Sequence, residues 1–256
     1  MTNVSIIMPI YKPDKERLKE IDAAIKEQKF DGDIEIIKVD ECMGLAKQMN
    51  IGIKKAKYDI IVTLHQDCVP VGEKWLDMLV KSLEESPAYD DLEHIYPFKM
   101  NGVPTVACTS DVLDVETGAS YTPLLDEKGC AYKRKALEKA GYFDEKTFAN
   151  SGEDMDLYLK LKKIGNIAYP HSVVQHFHPG YLNPKGEKSI QNANTLGALF
   201  RVHGFRLPGW WKGLLKATIF FFQIEYSYWF WRGFFKKRQD WRKGQTLRLL
   251  IRNYFT

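Results

Sequence analysis

Cysteine is scarce: Cys42, Cys68, Cys108 and Cys130 are the only four, and none of them forms a CxxC pair. That spacing excludes a disulfide framework and a zinc module built from cysteine pairs, and it suits a reducing compartment where each thiol acts as a small hydrophobe. A basic leader is also missing. Met1-Thr2-Asn3 runs straight into an apolar segment, without the basic start and cleavage region of a secretory signal, so a cytoplasmic location is expected. Long hydrophobic runs are absent from the aromatic C-terminal part, where Ala217–Ile224 is the longest uncharged stretch. It falls far short of the roughly 20 residues that a bilayer span needs. No internal repeat, low-complexity tract or Pro/Ser-rich linker is present. With 45% hydrophobic and 27% charged residues, disordered, collagen-like and bulk membrane chains are excluded. The 256 residues suffice for one large domain, or a domain with an appendage, around a sizeable core.

What is there is unevenly spread. The net charge of +4 conceals 12 Lys/Arg against two acidic residues from Arg201 onward, a local +10. Residues 1–200 hold 25 basic and 31 acidic groups, a local −6. The same C-terminal part carries 16 of the 33 aromatics and five of the six tryptophans. The body is acidic and the tail is basic and aromatic. Two segments are therefore expected, an acidic body over 1–205 and a tail over 206–256.

Val4–Ile10 is a continuous apolar run, as for a strand buried on both faces of a parallel sheet. Pro13-Asp14 opens a helix with Leu18, Ile21 and Ile25 on one face. Ile34–Val39 reads as a second strand, followed by a helix marked by Leu45, Met49, Ile53 and Ala56. Ile60–Leu64 reads as a third strand and Trp75–Leu83 as a third helix. This alternation predicts an α/β fold with a Rossmann-like, mostly parallel sheet flanked by helices. In such sheets ligands bind beyond the carboxyl ends of the strands, which points to Tyr11-Lys12, Asp40-Glu41 and His65-Gln66-Asp67. Farther on, Val103–Cys108 reads as a strand and Thr105–Ser110 is polar enough to line a site. Arg134–Ala140 and Ser151–Ile164 read as helices, the second stopped by Gly165.

Asp40, Asp67 and the pair Glu153-Asp154 lie at strand ends or a helix start. Each has a plain alternative, since a strand-end aspartate often satisfies turn N–H groups. Ser151-x-x-Asp154 also has capping-box spacing, and a carboxylate in a first turn is favoured by the helix dipole. Cap and catalyst are compatible roles there. His176 and His178 flank Phe177 at the spacing that puts two side chains on one face of a strand, either as ligands or as ordinary hydrogen-bonded residues.

In this order the residues resemble the family 2 glycosyltransferases of the GT-A fold, over about 4–180. Val4–Tyr11 resembles the opening VSIIIPTYN strand, with Lys12 in place of Asn. Asp40-Glu41 stands where the family has its acidic pair. Ala46-x-x-x-Asn50-x-Gly52-x-x-x-Ala56 is similar to the AxxxNxGxxxA helix. Leu64-His65-Gln66-Asp67, followed by Trp75-Leu76, stands in the place of the metal-binding DxD and its following helix. Gly141–Glu145 resembles the GxFDE turn. Gly152-Glu153-Asp154-x-Asp156-Leu157 followed by Gly165 resembles the acceptor helix GEDxDLxxRLxxxG, and His176 and His178 fall where a late histidine follows. His65 replaces the first Asp of DxD.

The resemblance implies a hexosyltransferase-like, inverting enzyme using a nucleotide-sugar donor. Asp154 becomes the catalytic base and Glu153 helps hold the acceptor. Pro9, Tyr11, Asp40, Glu41, Asn50, Gln66 and Asp67 become the donor-side residues, with Tyr11 stacked near the base and Asp40 accepting a hydrogen bond from it. Asp67, with His176 or His178, becomes the site of a Mg²⁺ or Mn²⁺ ion, for which hard carboxylate oxygen is suited. A UDP- or dTDP-sugar is favoured and a GDP-sugar is possible. The acceptor is a glycan or a polyprenyl-linked molecule. Two rivals are a sugar-nucleotide nucleotidyltransferase, for which Tyr11-Lys12-Pro13 lacks the glycine of a phosphate loop, and a non-catalytic nucleotide-sugar or membrane-binding module.

Trp210–Arg232, read as one helix, gathers Lys212, Lys216, Gln223 and Ser227 into a narrow polar stripe on an otherwise aromatic and aliphatic surface. With the basic residues that follow, this is the pattern of a helix lying in a membrane interface. A peripheral position on the cytoplasmic membrane face is expected. Packing on the body or on a partner is the alternative for the tail. A nucleic-acid surface explains none of the body's motifs, so no nucleic-acid partner is expected.

Overall fold

The computed structural model describes residues 2–40, 44–84, 103–148, 151–177, 187–206, 210–219 and 224–236. The chain divides into two compact units, Met1–Phe143 with Lys160–Gly180, and Asp144–Leu159 with Tyr181–Thr256.

The first unit opens with strand β1 (Val4–Pro9), helix α1 (Lys15–Lys26), strand β2 (Ile34–Val39), helix α2 (Leu45–Lys55) and strand β3 (Ile60–Thr63). Strand β4 (Cys68–Pro70) and helix α3 (Trp75–Glu84) come next. Then follow β5 (Thr105–Thr109), β6 (Asp111–Asp114), β7 (Ser120–Tyr121), β8 (Cys130–Lys133) and helix α4 (Arg134–Ala140). Helix α5 (Glu153–Leu161), which belongs to the second unit up to Leu159, leads to strands β9 (Asn166–Ala168) and β10 (Val173–His176) of the first. One sheet has six strands in the order β2-β1-β3-β8-β5-β9, a second has four in the order β4-β10-β6-β7. In the larger sheet β1 runs parallel to β2 and β3, and β5 parallel to β9, while β8 is antiparallel to both its neighbours. The expected mostly parallel α/β sheet is present, flanked by helices.

β1 is buried along its whole length, which is why its sequence is a continuous apolar run rather than an alternation. β2 forms one edge of the sheet, and its Ile36 is exposed. Helix α1 starts where Asp14 accepts hydrogen bonds from the N–H groups of Glu16 and Arg17, satisfying donors that the first turn leaves unpaired. It presents Ile21 and Ile25 to a core shared with β1, β3 and α3, including Ile6, Met8, Val62, Trp75 and Leu79. Helix α2 lies close on β1 because of Gly52. A Cβ there would come within 2.2 Å of Ile7 Cγ2, so this position of the AxxxNxGxxxA pattern is a packing requirement.

Thr105–Ser110 is buried throughout. Thr105, Thr109 and Ser110 are buried, and the Ser110 hydroxyl sits between Trp75 Nε1 and Ser172 Oγ, 3.0 Å from each. Its polarity is spent inside the core, as buried hydroxyls require.

The second unit contains helices α6 (Glu187–His203), α7 (Trp210–Ile219) and α8 (Ile224–Phe235). The single helix expected over Trp210–Arg232 is thus two helices. Trp229, Phe230, Ala217 and Ala193 form their own buried cluster. Once the aromatics can bury against a second and third helix, the segment gains by folding back instead of running straight. Gly197 of α6 and Gly233 of α8 allow this close crossing. A Cβ on either would come within 1.9 Å of a backbone oxygen of the other helix. Among the described residues no helix is long and apolar enough to cross a membrane.

Candidate active site

The carboxyl ends of β1, β2 and β3 lie side by side, so the segments that follow them share one edge of the sheet. Gln48 of α2 ties two of these ends together by donating to the carbonyls of Ile10 and Val39. Gln66 forms a reciprocal pair with Tyr11, accepting from its N–H at 2.8 Å and donating to its carbonyl at 2.6 Å. This fixes the backbone of Tyr11 next to Lys12, whose φ of 47° is in the left-handed region. Tyr11 is 44% exposed, with Lys12 Nζ over its ring 5.4 Å from the centroid. Asp40 is exposed directly after β2, and Pro9 closes β1 as a buried residue. Glu41 and His178 lie outside the described residues.

Asn50 is placed differently from the other donor-side residues. It is buried in α2, its Nδ2 donates to the Phe143 carbonyl at 2.9 Å, and its Oδ1 accepts from the Phe143 N–H at 3.1 Å. Its amide is engaged in clamping the Gly141–Glu145 turn.

Asp67 stands where the two sheets meet in sequence, after β3 and just before β4. In the smaller sheet β10 pairs with β4 on one side and β6 on the other, and His176 is in register with both Cys68 and Asp114. Three strand ends thereby gather Asp67, Cys68, His176 and Asp114. His176 Nε2 is 3.7 Å from Asp67 Oδ2, and its Nδ1 is 4.0 Å from Asp114 Oδ2. The Phe177 N–H donates to the Asp67 carbonyl at 2.8 Å, pinning the end of β10 to the same spot. Arg17 lies over the Phe177 ring at 3.3 Å. Burial opposes ionisation of Asp67, but the His176 and His65 imidazoles outweigh it and bring its pKa down to about 2. Asp67 is a carboxylate at neutral pH. His65, which replaces the first Asp of the DxD pattern, has its pKa lowered by burial and by the Lys128 charge, so it is a neutral ring there.

Lys128 and Asp126 carry no signal in the sequence, yet they form a half-buried ion pair at 2.5 Å. Burial alone would lower the lysine pKa, but the Asp126 carboxylate raises it above its ordinary value, so Lys128 is a permanent cation in the neighbourhood of His65 and Cys68. Asp67, Cys68 and His176 offer one donor atom each within 4.8 Å of one another, a set able to hold a metal ion.

In the other unit, Glu153, Asp154 and Asp156 occupy the first turn of α5. Glu153 is buried, Asp154 is half-buried, and Asp156 is fully buried with its Oδ1 2.8 Å from His203 Nε2. The Ser151 capping box is not the local arrangement. The helix begins at Glu153, one position later than that spacing requires, and the Ser151 hydroxyl instead accepts from Thr195. Asp154 Oδ1 accepts from the Met155 N–H.

Residues 14–139 match glycosyl transferase family 2. This chain carries a family 2 glycosyltransferase domain. No curated protein sequence matches it. Among solved structures the glycosyltransferase is similar to a mannosyltransferase from Pyrobaculum calidifontis, solved in complex with GDP-Man and Mn²⁺. The TM-score is 0.53 at 17% identity, covering 85% of this chain and 75% of that one. It is also similar to the catalytic domain of Drosophila β1,4-galactosyltransferase 7, solved with xylobiose, with a TM-score of 0.47 at 13% identity over 70% and 72% of the two chains. The first likeness shows a shared GT-A-like fold. The family match spans Asp40, Asn50 and Asp67 of the glycosyltransferase and ends before Asp154.

Proposed function

We propose that the chain is an inverting glycosyltransferase that moves a sugar from a nucleotide-sugar donor to a hydroxyl of a glycan or polyprenyl-linked acceptor. The observation that carries this reading is the ionised Asp67 with His176 beside it, at the carboxyl ends of the strands where Tyr11 and Asp40 also lie. Tyr11, on a backbone held by Gln66, stacks on the nucleobase, and Asp40 accepts a hydrogen bond from it. Pro9 and Glu41 complete the donor side. Asp67 and His176 would hold a divalent cation, Mg²⁺ or Mn²⁺, which when bound offsets the charge of the departing diphosphate. Asn50 supports this side from within α2 through the Phe143 backbone.

Asp154 takes the proton from the acceptor hydroxyl as that oxygen attacks the anomeric carbon, and the opposite-face displacement inverts the configuration. Its half-buried carboxylate at a helix start suits this role. Glu153 helps hold the acceptor. Base contacts at Asp40 and Tyr11 favour UDP- or dTDP-sugars, and a GDP-sugar fits the chemistry equally at the diphosphate. The tail, 206–256, holds the enzyme to the cytoplasmic membrane face. Trp211, Leu215 and Phe235 support this, being exposed among a surplus of Lys and Arg.

Asp154→Asn tests the base assignment. Transfer is expected to fall by about 10²-fold or more, the usual range for general-base loss, while nucleotide-sugar binding by calorimetry is retained. Near-normal turnover in this variant would remove Asp154 from the role.

A further inference from the structure

Besides gathering Asp67 and His176, the strand ends place a thiol with them. Cys68 opens β4 directly opposite His176 in the antiparallel register and is fully buried. Its Sγ is 3.6 Å from Asp67 Oδ1, and His176 Nε2 is 3.7 Å from Asp67 Oδ2. A tetrahedral ion with a sulfur at about 2.3 Å and nitrogen or oxygen at about 2.0 Å separates its ligand atoms by about 3.3–3.5 Å. Neighbouring oxygens on an octahedral Mg²⁺ are only about 2.9 Å apart. The two contacts reach different Asp67 oxygens and so set no single ligand spacing, but one donor atom from each of Asp67, Cys68 and His176 lies within 4.8 Å of the other two.

A second observation concerns the imidazole. His176 Nδ1 faces Asp114 Oδ2 at 4.0 Å, while Asp114 Oδ1 accepts from the Thr117 N–H at 2.8 Å and hydroxyl at 2.7 Å. At 4.0 Å this is a charge contact rather than a hydrogen bond, and it places a fixed carboxylate beside the ring nitrogen that does not face Asp67. Here Nε2 is the nitrogen aimed at Asp67.

We propose that Cys68 is a third protein ligand of this cation site, and that the site prefers a thiophilic divalent ion of the zinc class over Mg²⁺. Asp67 supplies an oxygen, His176 a nitrogen and Cys68 a sulfur, which leaves a fourth position open. On binding, the S–H bond breaks as the sulfur–metal bond forms, and the proton leaves to solvent without any change of oxidation state. Carboxylate–water–carbonyl sets select Mg²⁺, whereas thiolate selects zinc and its relatives. The inference deepens the reading of Asp67 and His176 as the cation site. Its rival is that Cys68 only fills the apolar core, to which it also contributes.

Cobalt(II) serves as a coloured probe for zinc. The full chain is stripped with a chelator and titrated with Co²⁺ alone, with no nucleotide sugar present. One equivalent is expected to produce thiolate-to-cobalt charge-transfer absorption and intense visible bands, and Zn²⁺ is expected to bleach them. Cys68→Ser and Cys68→Ala should each lose the charge-transfer band and bind Zn²⁺ about tenfold or more weakly, while Cys108→Ser keeps it. Asp114→Asn should keep the band and weaken Zn²⁺ by about 10–100-fold. Absence of the band in the wild type, or its survival in either Cys68 variant, overturns the proposal. Should both Cys68 variants fail to fold, retention of the band in serine variants at Cys42, Cys108 and Cys130 assigns it to Cys68, and its loss in any one of them assigns it elsewhere. No donor enters the assay, so failure here leaves sugar transfer to be judged by its own measurements.

Discussion

Replacing Asn50 with alanine removes two hydrogen bonds at once and leaves both backbone groups of Phe143 without the partner they have inside the fold. The site is buried, so water does not simply take over. An orphaned buried donor or acceptor costs about 1–3 kcal/mol, so the pair costs about 2–6 kcal/mol. For a chain of this size each kcal/mol lowers the midpoint by about 2–4 °C, and a loss of about 3 kcal/mol lowers it by about 6–12 °C. Urea unfolding and scanning calorimetry on wild type, Asn50→Ala and Asn50→Asp measure this directly. The aspartate keeps the acceptor for the Phe143 N–H and loses the donor to its carbonyl, so it should fall between the other two. If Asn50 is a clamp, the folded fraction of Asn50→Ala keeps its nucleotide-sugar affinity within a few-fold. Unfolding unchanged within about 0.5 kcal/mol, together with a tenfold or greater loss of donor affinity, would refute the clamp and make Asn50 a ligand contact.

Two further outcomes follow from the charge arrangement. Asp67 has its pKa lowered to about 2 in the fold, against about 3.9 for a free side chain. A depressed carboxylate stabilises the fold above the free value, and that contribution of about 2–3 kcal/mol is lost as pH falls from about 4 to about 2. Urea midpoints of the metal-free chain over this range should therefore fall less steeply in Asp67→Asn than in wild type, and equal slopes would contradict the assignment. For the tail, a chain ending near Phe205 should fail to float with anionic liposomes that carry the full chain, with rising salt weakening the full chain's binding; equal flotation of both would exclude the tail as the anchor.

Four strands of the larger sheet, β1, β2, β3 and β5, were legible in the sequence as apolar runs, whereas its short β8 and β9 were not. Ile34–Val39 and Arg134–Ala140 coincide with their strand and helix, and Val4–Ile10 misses by one residue at its end. The smaller sheet was not. Its four strands span only two to four residues each, too short for any alternation to stand out. That sheet builds the cation site, which explains why Asp67 and His176 were visible through their motif order while Cys68, Asp114 and the Asp126–Lys128 pair were not. Their meeting depends on the register of β4, β6 and β10, a property of chain pairing rather than of local spacing. The helical tail shows the opposite limit. Its apolar surface was evident, but the close crossing of α6 and α8 depends on Gly197 and Gly233, whose value as contact points exists only once the helices cross.

The central claim is that a cation held by Asp67 and His176 serves sugar transfer from a nucleotide donor. Nucleotide release from a panel of UDP-, dTDP- and GDP-sugars, with Mg²⁺, Mn²⁺ or Zn²⁺ present, measures it most directly when wild type and Asp67→Asn are run together. The account predicts release from at least one donor by wild type, lost on chelation and reduced by about 10²-fold or more in Asp67→Asn, a scale typical of losing preorganised charge stabilisation. Release that is undiminished in Asp67→Asn, or absent from every donor under all three ions, would contradict it.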